Sequence, residues 1–401
     1  MSERKELDWF SLLQLMFSGA GAVILGLLSF AGLVFFSLGR ILPSENLPPD
    51  QLGSMGLLFA GMGFVALLLI PSAVFAAQKL LDIDLPGTRP VPGARWLIAG
   101  LLPLLAVGYF AADNPAWGAA VLPIIHVLIN GSLIFWLISR VKKGLPEGSR
   151  QRFWGTFASG LVGSPLLALI VEIVLLIGVV FLWGFYLQAK PALNQELFSL
   201  VERVSRSSLT PEDANRLIGE YLFRPGVLWT LVLYIAVLIP LVEEIIKPLG
   251  VWLLLGRALR PEEGFVLGAV SGAGYALFEN LTLAANAQAW FVVLVSRFGT
   301  TAVHILASGL VGWGMVMGLK KGRLGKLFLA YGAAVLLHGV WNALNIIMVL
   351  GEVKGGEAAL GVFWNQVSAV GWVGLMVLGL GSLLGLFSAK FFLKRAIMSR
   401  V

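Results

Sequence analysis

Apolar stretches long enough to cross a lipid bilayer recur about ten times along this chain, and a spanning helix needs about 20 such residues. They fall near 11–39, 55–79, 96–112, 117–139, 157–187, 228–256, 262–283, 290–319, 325–350 and 361–389. The third is short, whereas the fifth and eighth are long enough to tilt. Only 13% of the residues are charged and 58% are hydrophobic, well below the charged fraction of about 25% that a soluble domain carries. A chain of 401 residues with this balance needs a solvent other than water. The reading is an all-α fold, a polytopic membrane helix bundle of about ten spans.

The first ten residues mix acids with bases and lead into a long apolar run with no small-residue cleavage site, so that run reads as an anchor. The chain has no cysteine, which excludes disulfides, thiolate catalysis and Cys-ligated metals. With a cytoplasmic N-terminus, about 20 of the 29 Lys and Arg residues fall in cytoplasmic segments, as the positive-inside rule asks. Both termini are then cytoplasmic in a bacterial-type plasma membrane, and loop 188–226 lies outside. The net charge of +7 reports this orientation. Nucleic-acid binding has no basic soluble module to carry it, and nothing in the sequence fixes an oligomeric state.

Four regions follow. Residues 1–155 hold four spans with few internal charges and form an N-terminal membrane module. Residues 156–227 add a fifth span and the one sizeable polar loop, where Thr210-Pro211-Glu212-Asp213 predicts a short helix near 211–222. Residues 228–350 form a four-helix core rich in polar groups, and residues 351–401 add a last span and a basic tail. Small-xxx-small spacings such as Gly268/Gly272 and Gly314/Gly318 predict close helix approach.

The chemistry concentrates in the core. The sixth span carries Glu243, Glu244 and Lys247 near its centre. Each charge there costs roughly 2.5–3.5 kcal/mol on insertion scales. Glu243 and Lys247 are at i,i+4 and share a face, with Glu244 about 100° round the helix. A single Glu–Lys pair would serve a bundle that only needs an ionic tie. The second carboxylate goes beyond that, and two neighbouring acids push one pKa upward, as a general base requires. The seventh span ends with Glu279 and Asn280. The eighth carries Arg297, His304 and Ser308 on one face, with Arg297 at the depth of Glu279, which predicts an Arg297–Glu279 pair. The ninth carries His338 and Asn342, again on one face. Glu243, Glu244, His304 and His338 share a depth within about one helical turn. Such a set activates water, a carboxylate taking the proton and His or Asn holding the oxyanion. Glu243, Glu244, His304 and His338 also suit a zinc ion, although no HExxH motif accompanies them.

At these residues the chain resembles the PrsW family of intramembrane proteases, within the superfamily that includes the CAAX prenyl endopeptidases. The shared pattern is EExxK (Glu243, Glu244, Lys247), an aromatic then Glu-Asn (Tyr275, Glu279, Asn280), Arg with His and a hydroxyl (Arg297, His304, Ser308), and HxxxN (His338, Asn342). Tyr275 and Ser308 stand where the family usually has Phe and Thr. The resemblance covers about 228–350. It implies a peptidase that cuts membrane-anchored substrates inside the bilayer, anti-sigma factors among them. By analogy, Glu243 or Glu244 activates water with a His, and the second His and Asn342 form the oxyanion hole. Lys247, Glu279, Asn280, Arg297 and Ser308 support the site. Members are described as metalloproteases, whereas the CAAX relatives fit a metal-free glutamate mechanism, and the sequence leaves both open.

Two further polar groups, Glu172 in the fifth span and the pair His126 and Asn130 in the fourth, read as stitching within the bundle. The competing functions are a transporter or a lipid- or peptide-binding scaffold. Against them stands the twinned Glu, since a proton path strings single acids along the membrane normal and no inverted repeat is visible.

Overall fold

A computed structural model describes residues 8–42, 49–83, 94–206, 219, 222–282, 287–355 and 361–399. The short helix expected near 211–222 lies outside the described residues, apart from positions 219 and 222.

The described chain is helical and forms an all-α membrane bundle. Its helices are α1 (Trp9–Ile41), α2 (Pro49–Leu80), α3 (Ala94–Ala112), α4 (Pro115–Lys142), α5 (Arg150–Ala158), α6 (Ser164–Gln188) and α7 (Pro191–Arg206). There follow α8 (Pro225–Leu233), α9 (Ile239–Ile246), α10 (Leu249–Leu254), α11 (Pro261–Thr282), α12 (Ala287–Met315), α13 (Leu324–Gly355) and α14 (Gly361–Met398). Five of them open on a proline (α2, α4, α7, α8 and α11), whose missing N–H costs nothing in the first turn and whose fixed φ suits a helix. Ser149 caps α5 by accepting from Arg152 N at 3.3 Å, and Gly322 at φ +67 turns the chain between α12 and α13, a backbone angle that favours glycine. Single π-helical turns interrupt the spans at Ser159–Gly163, Tyr234–Leu238 and Val316–Lys320.

Eight helices among the described residues are long and apolar enough to cross a membrane. The other two expected stretches are helical as well. One is α3, whose apolar part, Trp96–Ala112, is shorter. The other is α11, buried along nearly its whole length. A helix enclosed by protein needs small residues more than lipophilic ones, which is why α11 is glycine-rich and less apolar than its neighbours.

The chain divides into two compact units, residues 1–165, 244–337 and 378–401, and residues 166–243 and 338–377. In the first, α11 packs on α12, α4, α5 and α2 around a core that includes Phe157, Leu161, Phe265 and Trp290. Glycines bring α11 and α12 into backbone contact. A Cβ on Gly268 would stand 2.3 Å from the Ser308 carbonyl oxygen, and one on Gly272 would stand 2.4 Å from that of His304. Gly314 and Gly318 let α13 approach in the same way through Leu327 and Ala330. A buried polar knot ties α1, α2 and α5 together. Gln14 donates to the Ser72 carbonyl at 3.0 Å and accepts from Gln151 at 2.7 Å, and Ser18 bonds Ser72 at 2.8 Å.

In the second unit, α13 and α14 lie close through Gly351, Gly371 and Gly374, each of which meets backbone or side-chain atoms of the opposite helix. Helix α7 presents Leu193, Leu197, Leu200 and Val201 at helical spacing on one side, and its Glu196 pairs with Arg224 at 2.6 Å. The Arg224 guanidinium holds the Glu196 carboxyl below its usual range.

Candidate active site

The first unit holds a chain of charges. Helix α9 ends at Ile246 because Lys247 precedes a proline, which disfavours helical backbone in the residue before it and offers no N–H. The break leaves carbonyls without helical partners, and two serines meet them. Ser164 donates to the Ile246 and Lys247 carbonyls at 3.2 Å each, and Ser271 donates to the Lys247 carbonyl. With its backbone fixed in this way, the wholly buried Lys247 sends its ammonium to Glu244 Oε1 at 2.6 Å and to His304 Nδ1 at 2.8 Å. The Tyr275 ring lies beneath the same Nζ, 4.8 Å from its centroid, a cation–π contact.

Face-sharing on an ideal helix pointed Lys247 toward Glu243. The turn at Pro248 instead directs it to Glu244, three residues back. An ammonium has only protons to give, so it donates to Nδ1, and the proton of the His304 ring sits on Nε2. That N–H donates to Glu279 Oε2 at 2.9 Å. Arg297 reaches the same oxygen at 3.4 Å, which is the expected Arg297–Glu279 pair. Glu244, Lys247, His304, Glu279 and Arg297 thus form one continuous relay of alternating charge and imidazole.

Asn280 points elsewhere. Its amide donates to Thr301 at 3.0 Å, and its carbonyl meets His126 Nε2 at 3.0 Å. His126 is therefore bonded to the backbone of α11 beside Glu279, a stitch within the bundle. The Glu172 carbonyl accepts from the Tyr234 hydroxyl at 2.9 Å. Ser308 is fully buried at the α11–α12 contact, where its hydroxyl has no hydrogen bond among the described residues.

The second unit brings together Glu243, His338 and Asn342. His338 Nδ1 lies 3.8 Å from Glu243 Oε2, beyond hydrogen-bond length and within reach of a shared water. Both side chains are buried. The π-helical turn Tyr234–Leu238 displaces backbone carbonyls from the α-helical ladder, and α13 docks on it. Asn342 Nδ2 donates to the Ile235 carbonyl at 2.9 Å, and a Cβ on Gly339 would stand 2.5 Å from the Ala236 carbonyl oxygen. Glycine at 339 thus permits the approach that fixes Asn342. An amide has two N–H groups, so this bond orients the side chain and leaves it a second donor.

Within the first unit, the bonds that Glu244 and His304 already make oppose a metal ion. Glu244 and His304 each offer a ligand atom within 4.8 Å of the other. Both nitrogens of His304 are engaged, however, and a dication there would sit beside a buried ammonium.

Sequence reasoning missed Ser164, Ser271 and the π-helical turn. A proline just past two acids does signal orphaned carbonyls, but which hydroxyls reach them depends on the packing of three helices.

The family model described as PrsW family intramembrane metalloprotease matches residues 175–378. No curated protein and no solved structure matches the chain.

Proposed function

The chain belongs to the PrsW family of intramembrane metalloproteases, and from that premise, which makes it a membrane-embedded hydrolase of peptide bonds, we propose how its residues divide the work. Glu243, beside His338, takes a proton from water as the oxygen attacks the scissile carbonyl. The oxyanion that forms is held by the second N–H of Asn342 and by the imidazole of His338. Collapse of the intermediate breaks the C–N bond, and the proton held on Glu243 passes to the leaving amine. Glu244 and His304, the other two members of the expected set, are bound into the Lys247 relay. They hold the charge that keeps the EExxK turn in place, and cleavage depends on them as well.

The carrying observation is the 3.8 Å separation of Glu243 Oε2 from His338 Nδ1, with Asn342 one helical turn further along the same face of α13. The Lys247 bonds support water activation by a carboxylate with no step through zinc. The substrates are membrane-anchored proteins, with anti-sigma factors as the class the family resemblance points to. The site works in a plasma membrane with both termini cytoplasmic. Residues 1–155 serve as an accessory membrane module beside the core at 228–350.

The test is cleavage of a membrane-anchored reporter by purified enzyme in lipid. Glu243→Gln and His338→Ala are each expected to lower the rate by on the order of 10²-fold or more, the usual size of such terms, with thermal stability measured in parallel. Treatment with EDTA and 1,10-phenanthroline should leave activity in place. Folded Glu243→Gln protein cleaving at the wild-type rate would refute the base assignment, and chelator-sensitive activity restored by zinc would refute the metal-free step.

A further inference from the structure

Within the second unit, a cavity of about 270 Å³ opens between the π-interrupted span and α13. Leu231 and Ile235 line one side, and Asn342, Asn345, Ile346 and Val349 line the other. On α13, His338, Asn342, Asn345 and Val349 stand at i, i+4, i+7 and i+11, so one stripe of the helix carries both the proposed catalytic groups and the wall of the cavity. Asn342 belongs to both, since its amide is anchored on Ile235 and Ile235 is also a wall residue. The walls are otherwise aliphatic, and the volume exceeds that of a single leucine side chain.

We propose that this cavity is a substrate subsite that takes a large apolar side chain of the membrane-anchored peptide close to its scissile bond. The proposal rests on Asn342 marking the oxyanion position. From Asn342 the walls run along α13 for about 5–10 Å at 1.5 Å per residue. An extended peptide covers that distance in about one to three residues at 3.3 Å each. The favoured residue therefore lies within three positions of the cut. An extended peptide is the required occupant, because a helical substrate buries its scissile carbonyl in its own ladder and turns neighbouring side chains away from one groove. The asparagines at the rim and the carbonyls displaced by the π-helical turn give such a peptide polar partners in an apolar setting.

The experiment uses the full-length enzyme in lipid with a reporter substrate in which each of the six residues around the cut is varied between Ala, Leu, Phe and Asp. Wild-type enzyme is expected to prefer Leu over Ala at one of these positions by about tenfold or more, the size a hydrophobic pocket delivers. Val349→Trp fills the cavity from its half-exposed rim and should erase that preference while the Ala substrate is still cut. Ile346→Ala enlarges the cavity and should shift the preference toward Phe. A second readout needs no turnover. Because the chain has no cysteine, Val349→Cys in a Glu243→Gln background should form a disulfide with a substrate cysteine at the preferred position and not with one five residues away. Unchanged side-chain preference in both cavity variants, or equal cross-linking at the two substrate positions, would overturn the subsite. Failure of the catalytic reading looks different, because Glu243→Gln would then cleave while the preference and the cross-link remained.

Discussion

Replacing Lys247 by Met keeps the length of the side chain and removes the ammonium that joins Glu244 to His304. Both Lys247 and Glu244 are shielded from solvent, with side-chain exposure of 0% each, so water does not take over from the lost partner. Removing one member of a buried pair costs about 3–5 kcal/mol, because the other is left charged in a medium that solvates it poorly. With an unfolding entropy of about 2.1 cal/mol/K per residue over the 401 residues of the chain, this corresponds to about 4–6 °C in the unfolding midpoint. The assay is thermal unfolding in lipid or detergent at one fixed scan rate, followed by tryptophan fluorescence. The double variant Glu244→Gln/Lys247→Met removes the stranded charge and should recover much of the loss, which gives a coupling above about 1 kcal/mol in the double-mutant cycle. Lys247→Met unfolding within about 1 kcal/mol of wild type, or a double variant no more stable than the sum of the singles, would refute the claim that the ammonium neutralises Glu244.

Other outcomes follow from the same geometry. Gly272→Ala places a methyl 2.4 Å from the His304 carbonyl oxygen and should separate α11 from α12, lowering both the unfolding midpoint and the cleavage rate. Alanine at Gly178, which has nothing within 4 Å, is the neutral control for the same two measurements. Asn342→Ala should reduce cleavage by about 10²-fold, as loss of an oxyanion donor does, with wild-type substrate binding measured on the Glu243→Gln background. Glu172→Gln leaves the Tyr234 bond intact because that bond uses the backbone carbonyl, and cleavage should stay near wild type. Single cysteines placed at Ser208 and near either terminus should label from opposite sides of the membrane. Labelling of all three from one side would overturn the orientation.

Where each element begins and how helices meet was largely legible in the sequence, because hydropathy and glycine spacing answer to general rules. The stripe of Gly268 and Gly272 has no other use on an apolar helix, and Arg297 at the depth of Glu279 had one inexpensive partner. Depth and face likewise put His338 and Asn342 on one side of α13. The partner of Lys247 was not legible, because an ideal helix was extended through a residue that precedes proline. A π-helical turn has no strong local signature, so the displaced Ile235 carbonyl that orients Asn342 could not be read from 234–238. The helix Pro191–Arg206 escaped for a related reason. Its apolar residues are too few for a span, and they fall in a loop where the Thr210-Pro211 signal drew attention further along.

The enclosure of α11 bears on how the protein is made. A helix enters the bilayer during synthesis according to how well its own surface dissolves in lipid, and α11 has little lipid-soluble surface of its own, with glutamates at both ends and glycines along one side. Its cover comes from α2, α4 and α5, which are made before it, and from α12, which emerges after it and packs on it through backbone contacts. Glu279 meets its partners Arg297 and His304 only when that next helix is in place. The site proposed above is complete only once translation has also passed the ninth span, which carries His338 and Asn342.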